Sequence, residues 1–278
     1  MLIVQSVGAD AHIGPLDLYG IYTALKDKRK FEGTIMELLY KDTFTVSDLQ
    51  CDRYGRLKPS AILWFVQEIA GRHCLLLGTD WDTLAKKNMF WAVIRHRVQI
   101  NRLPEKGEEV HIETWPMPTT RVAYPRNVVA LDKEGNVLFR SMSLWVLMDL
   151  NTRAMILPGK SGVEVQGLLC GDELPTPASL PPVQLSGCQS RQVRFTDLDI
   201  NGHMNNCRYL DWASDLLPSA FHQAHPVRDF TLGYLSEARE GDNLLVCHEV
   251  AEDGAMRLEI LREDGEKQHR IFCAQLQY

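Results

Sequence analysis

Between Asp199 and His203 every second residue carries a carboxylate, a carboxamide or an imidazole, in the run Asp199-Ile200-Asn201-Gly202-His203-Met204-Asn205-Asn206. In an extended segment or a tight turn, two-residue spacing aims Asp199, Asn201 and His203 the same way. Asn205 and Asn206 stand where a helix can start, ahead of Cys207-Arg208-Tyr209-Leu210-Asp211-Trp212. Asparagine is a favoured N-cap, and a helix start offers free N–H groups and partial positive charge. An acid or base, a positioning amide and N–H donors for an oxyanion thus fall within one short segment. Hydrolysis of an acyl compound needs those parts.

Each residue also has a plainer reading. Asn201-Gly202 is a common turn dipeptide, and a lone histidine is more often structural than reactive. The conjunction outweighs the single residues, because a loop that serves only as a turn has no need of His203. A second element lies downstream. Phe230, Leu232 and Tyr234 alternate with Thr231, Gly233 and Leu235 as on a half-buried strand. Glu237 ends that strand and is a candidate general base or a partner for His203, whereas Glu240 reads as a solvated charge. Cys207 reads as packing under Leu210. The tryptophans at 64, 81, 91, 115, 145 and 212 read as core or cavity wall. His222 and His225 resemble a ligand pair only weakly, with no carboxylate or cysteine spacing to complete a metal site, so no metal and no cofactor are assigned. A Gly-rich phosphate loop and a G-x-S-x-G elbow are both missing from the sequence.

The 278 residues, 45% hydrophobic and 24% charged, are ordinary for a globular chain of one or two domains. A net charge of −6 argues against a nucleic-acid binder. Seven dispersed cysteines without a C-x-x-C pair suggest neither a zinc site nor a disulfide framework and fit a reducing cytosol, so a cytoplasmic location is expected. Apolar runs such as 61–66 are far short of the ~20 residues a membrane span requires. The N-terminus lacks the pattern of a signal peptide. Residues 1–35 differ from the rest, with the charge run Leu25-Lys26-Asp27-Lys28-Arg29-Lys30. They read either as an upstream extension, with Met36 the natural start, or as an arm packed on the surface.

From 36 to 158 the pattern is strand, long helix, several strands. Pro59-Ser60-Ala61 opens a helix that is apolar on nearly all faces and should be buried all round. Strands are expected at 90–100, 109–116, 123–131 and 137–148, with a turn at Lys133-Glu134-Gly135-Asn136. Residues 159–187 read as a Gly/Pro/Ser-rich linker. From 188 to 278 the first pattern recurs: strand 192–196, the polar motif, helix 206–217, and strands 229–237, 243–251, 256–262 and 268–277. At a constant offset of 147 residues Asp52 falls on Asp199, Gly55 on Gly202, Leu57 on Met204 and Leu63 on Leu210. Tyr54 and Arg56 stand where the second copy has Asn201 and His203. The chain therefore reads as two copies of one unit, with the chemistry in the second.

Asp199 to Tyr209 resembles the motif D-x-N-x-H-V-N-N-x-x-Y of the acyl-ACP thioesterases of plants and bacteria. Tyr234 to Ala238 is similar to their second motif, Tyr-Arg-Arg-Glu-Cys. The first half carries further likeness at Val93-Ile94-Arg95, Glu113-Thr114-Trp115 and Ser143-Leu144-Trp145-Val146-Leu147-Met148, so the resemblance covers 40–278. It implies an α+β fold of two tandem hotdog repeats, each an antiparallel sheet wrapped around a long central helix. It implies hydrolysis of fatty acyl-ACP, in fatty acid biosynthesis, with acyl carrier protein (ACP) as partner. Asp199, Asn201, His203 and Glu237 match the family's catalytic positions. Ala238 stands where the family has a cysteine, which leaves a carboxylate-centred mechanism. An acyl tunnel is expected largely within the first repeat, and N–H groups at the start of helix 206–217 are expected to hold the oxyanion. Arg121, Arg126 and the Lys86-Lys87 pair are candidates for ACP docking. An acyl-CoA thioesterase and a non-catalytic acyl-binding module are the other readings; a homodimer is compatible with the sequence.

Overall fold

The computed structural model describes residues 38–170, 173–185, 187–265 and 267–278; the expectation for residues 1–35 lies outside them. Residues 38–278 form one compact unit. Its first half runs β1 (Tyr40–Thr45), α1 (Pro59–Leu76), α2 (Trp81–Ala85), β2 (Met89–Ile100), β3 (Glu109–Pro116), β4 (Tyr124–Leu131), β5 (Val137–Asp149), β6 (Met155–Ile156) and α3 (Pro158–Ser161). Its second half runs β7 (Gly187–Gln192), α4 (Arg208–Ser214), α5 (Ser219–Ala224), β8 (Asp229–Tyr234), β9 (Asn243–Val250), β10 (Ala255–Asp264) and β11 (Lys267–Gln277).

The strands make one sheet in the order β1-β3-β4-β5-β2-β8-β11-β10-β9-β7, with β6 on β5. The two repeats meet where β2 pairs antiparallel with β8, from Arg95↔Gly233 to Gln99↔Asp229. An ion pair at 3.0 Å from Arg97 to Asp229 crosses that seam. Each repeat lays its helix on the sheet. A single apolar cluster joins Ile62, Phe65 and Ile69 of α1 to Leu210, Trp212 and Ala213 of α4, and to Phe230 and Phe272 of the second repeat's strands. The α+β, two-hotdog expectation holds, with the two sheets fused into one.

The long helix begins where Pro59 fixes φ and lacks an N–H that has no partner in a first turn anyway. It is not buried all round: Trp64, Leu75 and Leu76 are exposed. The second helix is short. Leu216 and Leu217 donate to Ala213 and Ser214, closing a tight last turn, and Pro218 then bars continuation. The expected helix 206–217 is therefore α4 of 7 residues, and α5 starts afresh after Pro218. The expected strand 192–196 is also displaced, since β7 ends at Gln192 and Phe195–Asp197 is a 3₁₀ turn.

β4 is buried at seven of its eight positions because it is covered on both faces. The chain after α3 packs along the sheet, with Val163 beside Tyr124 and Leu168 beside Trp115 and Val129. The connecting segment thus lies along the sheet, tied by Arg270 to the Leu180 carbonyl. Cys188 and Cys247 sit opposite each other on β7 and β9 and are joined in a disulfide, contrary to the expectation of none. They are 59 residues apart, and only the strand register brings them together. Among the described residues, no helix is long and apolar enough to cross a membrane.

Candidate active site

The motif is a tight loop closed by its own aspartate. Asp199 Oδ1 accepts the N–H of Asn201 at 2.8 Å and that of His203 at 3.2 Å. The Asp199 N–H donates to the His203 carbonyl at 2.8 Å. Gly202 turns the chain with φ 73°, a left-handed conformation that glycine adopts without strain. The first repeat builds the same loop. Asp52 Oδ1 accepts from Tyr54 N at 2.8 Å and Arg56 N at 3.1 Å, Asp52 N donates to the Arg56 carbonyl, and Gly55 has φ 79°. The loops share their backbone and clasp and differ in what they present. In the first, Arg56 folds back onto Asp52 at 3.2 Å; in the second, His203 leaves Asp199 and reaches Glu237.

Glu237 lies beyond the end of β8. Leu235 and Ser236 donate their N–H groups to the Ile271 carbonyl, and the Ala238 carbonyl accepts from Met204 N at 2.8 Å. That last bond ties the Glu237 segment to the motif loop. Arg262 reinforces it by donating to the Glu237 carbonyl at 2.7 Å and to Asp242 at 2.6 Å. Held this way, Glu237 Oε2 is 3.1 Å from His203 Nε2. The His203 ring is mostly covered, with 12% of its side chain exposed, while Glu237 keeps 36%. A histidine close to a carboxylate at a solvent-reachable edge can exchange a proton with substrate or water. Two guanidiniums flank Glu237: Arg153, 3.4 Å from Oε1, and Arg239, 3.8 Å from Oε2.

Of the expected site residues, His203 and Glu237 meet. Asp199 and Asn201 lie on the same loop, where the Asn201 amide is 3.4 Å from Asp199 Oδ2. Asp199 is occupied with loop N–H groups, and Asp52 does the same work in the repeat that lacks the polar residues. At the helix start, Cys207 N donates to Asn205 Oδ1 and Arg208 N to the Asn205 carbonyl, so those two N–H groups are already engaged. Burial, with Asp211 adding to it, pushes the Cys207 thiol up to about 12, which keeps it protonated and inert. Ala238 is fully buried. Trp115 and Trp212 are core, but Trp64 and Trp81 keep 44% and 41% of their surface exposed. His222 contacts the Ser214 carbonyl, and among the described residues no group of three or more His, Cys, Asp or Glu could hold a metal ion.

Arg126 does not serve as a docking residue. It is buried, with Nη1 3.0 Å from His73 Nδ1 and 3.2 Å from Thr114, and burial pulls its guanidinium below the usual range. A solvent-facing pattern could not be told from an inward one in Tyr124-Pro125-Arg126, because β4 is covered on both faces. Arg121 and the Lys86-Lys87 pair are exposed. Arg153 carried no signal in the sequence, since it comes from the other repeat. A cavity of about 860 Å³ lies between the two loops and helix starts, lined by Tyr54, Arg56, Asp197, Trp212 and His222, and neither His203 nor Glu237 lines it.

A sheet of two fused hotdogs with an aspartate-clasped His–Glu pair on the second is the architecture of a thioesterase fold. Models of the acyl-ACP thioesterase N-terminal and C-terminal domains match residues 37–157 and 183–274, and the chain belongs to this family. It is similar to a chloroplastic palmitoyl-acyl carrier protein thioesterase of Gossypium hirsutum, 27% identical over 218 residues, covering 72% of this chain and 52% of that protein. It is also similar to oleoyl-acyl carrier protein thioesterase 2 of Arabidopsis thaliana, 26% identical over 242 residues, covering 79% of this chain and 65% of that one. The chain spans little more than half the length of the first of these relatives. The crystal structure of an acyl-ACP thioesterase from Bacteroides thetaiotaomicron superposes with a TM-score of 0.74 at 26% identity, over 86% of this chain and 97% of that one. The 12:0-ACP thioesterase of Umbellularia californica shares the fold, with a TM-score of 0.71 at 23% identity over 86% and 96%.

Proposed function

We propose that this chain hydrolyses fatty acyl-ACP to free fatty acid and ACP. The observation that carries the reading is the 3.1 Å approach of His203 Nε2 to Glu237 Oε2, on the one repeat that has the polar residues. Glu237 takes a proton from a water molecule, whose oxygen attacks the thioester carbonyl. As the tetrahedral species collapses, the C–S bond breaks and His203 gives a proton to the leaving thiolate. The His–Glu contact returns the proton from Glu237 to His203, so one proton passes from water to sulfur in each cycle. Asp199 acts on the loop rather than as a nucleophile, and Asn201, exposed beside it, orients water or substrate. The second repeat carries the reaction, and the first holds the acyl chain.

Lys86 and Lys87 favour a carrier protein over a free thioester. They follow α2 directly and precede Asn88, whose side chain bonds to Asp149 in the turn that bears Arg153. An acidic carrier that met these charges would stand next to the turn whose Arg153 reaches Glu237. A cytosolic setting is part of the reading. Five free thiols support it, and the Cys188–Cys247 pair counts against it. The named groups of the site all come from one chain, so the chemistry calls for no homodimer.

The test is thiol release from acyl-ACP, acyl-CoA and a short neutral acyl thioester in parallel, at rising salt. The expected result is turnover of acyl-ACP with kcat/KM falling as the Debye length shrinks below ~8 Å, while the neutral substrate barely responds. Equal kcat/KM and equal salt response for ACP and CoA substrates would remove the argument for an ACP partner.

A further inference from the structure

Arg153 is built with unusual care for a residue in a hairpin turn. Among the described residues only Asn88 and Arg153 are non-glycines with positive φ, 59° and 57°. Both belong to one turn assembly. Asp149 Oδ1 accepts from Asn151 N and Thr152 N at 2.9 and 2.7 Å, and Arg153 N donates to the Asp149 carbonyl at 3.0 Å. Asn88 Nδ2 donates to Asp149 Oδ2 at 2.7 Å, and Asn151 Nδ2 donates to Asn88 Oδ1 at 2.9 Å. Asparagine tolerates the left-handed region, but arginine does not favour it, and glycine would fit at no cost. Strained conformations of this kind persist where the surrounding structure imposes them, and they gather at functional sites.

The side chain explains what the turn is for. The Arg153 guanidinium lies over the Phe90 ring, 4.9 Å from its centroid, and Nη1 is 3.4 Å from Glu237 Oε1. Glu237 therefore has one oxygen beside Arg153 and the other beside His203. Arg239, the second neighbouring cation, has 63% of its side chain exposed and stands farther off. We propose that Arg153, supplied by the N-terminal repeat, is a positioning residue that fixes the Glu237 carboxylate against His203, so that the hydrolytic centre is assembled across the repeat boundary. This rests on the reading of His203 and Glu237 as the reacting pair. It gives the first repeat, which lost its own polar motif, a part in the chemistry of the second.

The experiment compares Arg153→Ala, Arg153→Gly and Arg153→Lys with Glu237→Gln in the full chain. Each is assayed on acyl-ACP and on a short acyl thioester of N-acetylcysteamine, which carries no phosphate. Misplacing a reacting group typically costs on the order of 10²-fold, so kcat of the Ala and Gly variants should fall by about that factor on both substrates with KM little changed. Arg153→Gly relieves the backbone strain, so its melting temperature should equal or exceed that of the parent, which separates the loss from misfolding. Arg153→Lys, and free guanidinium added to Arg153→Ala, should recover part of kcat. Wild-type kcat in Arg153→Ala and Arg153→Gly beside an inactive Glu237→Gln would overturn the inference and leave the hydrolytic pair standing. A loss confined to KM for acyl-ACP would also overturn it, assigning Arg153 to the phosphate of the carrier arm. A fully active Glu237→Gln would instead overturn the reading on which the inference rests.

Discussion

At residue scale, the pairing of Asp199 with Asp52 separates structure from chemistry. Both carboxylates accept two loop N–H groups, and only one of the loops carries a histidine. A carboxamide keeps the accepting oxygen, so Asp199→Asn should retain kcat within a few-fold of the parent. A nucleophilic Asp199 would lose nearly all turnover in the same variant, and steady-state kinetics on acyl-ACP distinguishes the two. Asp199, Asn201 and His203 were legible because one short loop carries them, and Glu237 because it follows a strand of clear alternation, although that strand stops at Tyr234 and not at 237 as expected. The division of labour among them was not legible, because the clasp that Asp199 and Asp52 share is a set of backbone hydrogen bonds that residue types alone do not show. Arg153 left no trace in the sequence. Its role depends on a fold that brings the β5–β6 turn to the end of β8.

Among the elements, those with strong periodicity sit where the sequence puts them. β3 spans Glu109–Pro116 as expected, and β2, β4 and β5 differ by a residue at one end. β7 was expected too late, at 192–196, because Gly187–Gln192 is an edge strand with almost every residue exposed, so no apolar alternation marks it. The second helix was overdrawn because 206–217 is periodic up to Pro218, while its last turn tightens before the proline. The disulfide was hidden for a related reason, since cross-strand register cannot be read from cysteine spacing. It joins the sheet-edge strand β7 to β9, away from His203 and Glu237. Reduction, or Cys188→Ser, should lower the melting temperature by an amount matching about 2–4 kcal/mol and leave kcat unchanged. Thermal unfolding with and without a reductant checks this; an unchanged melting temperature would show that the bond adds nothing to the folded state.

For the whole molecule, the β2–β8 seam and the shared apolar cluster make the repeats interdependent. Residues 38–158 and 183–278 produced as separate chains would each expose a long unpaired strand and half of a core. Each alone should be insoluble or unfolded by circular dichroism, and activity should return only on co-expression; a soluble, cooperatively melting half would contradict a single folding unit. This interdependence suits a centre whose reacting pair lies on one repeat and whose positioning cation comes from the other. The fused sheet was only partly legible. The internal offset announced two units, but nothing in either copy says which strands of the two will pair. Whether the His203–Glu237 pair cleaves an acyl thioester is measured by free-thiol release from acyl-ACP by the parent and by His203→Ala. The expected result is turnover by the parent and a ~10²–10⁴-fold lower kcat for His203→Ala at an unchanged melting temperature. Parental kcat in a folded His203→Ala variant would contradict it.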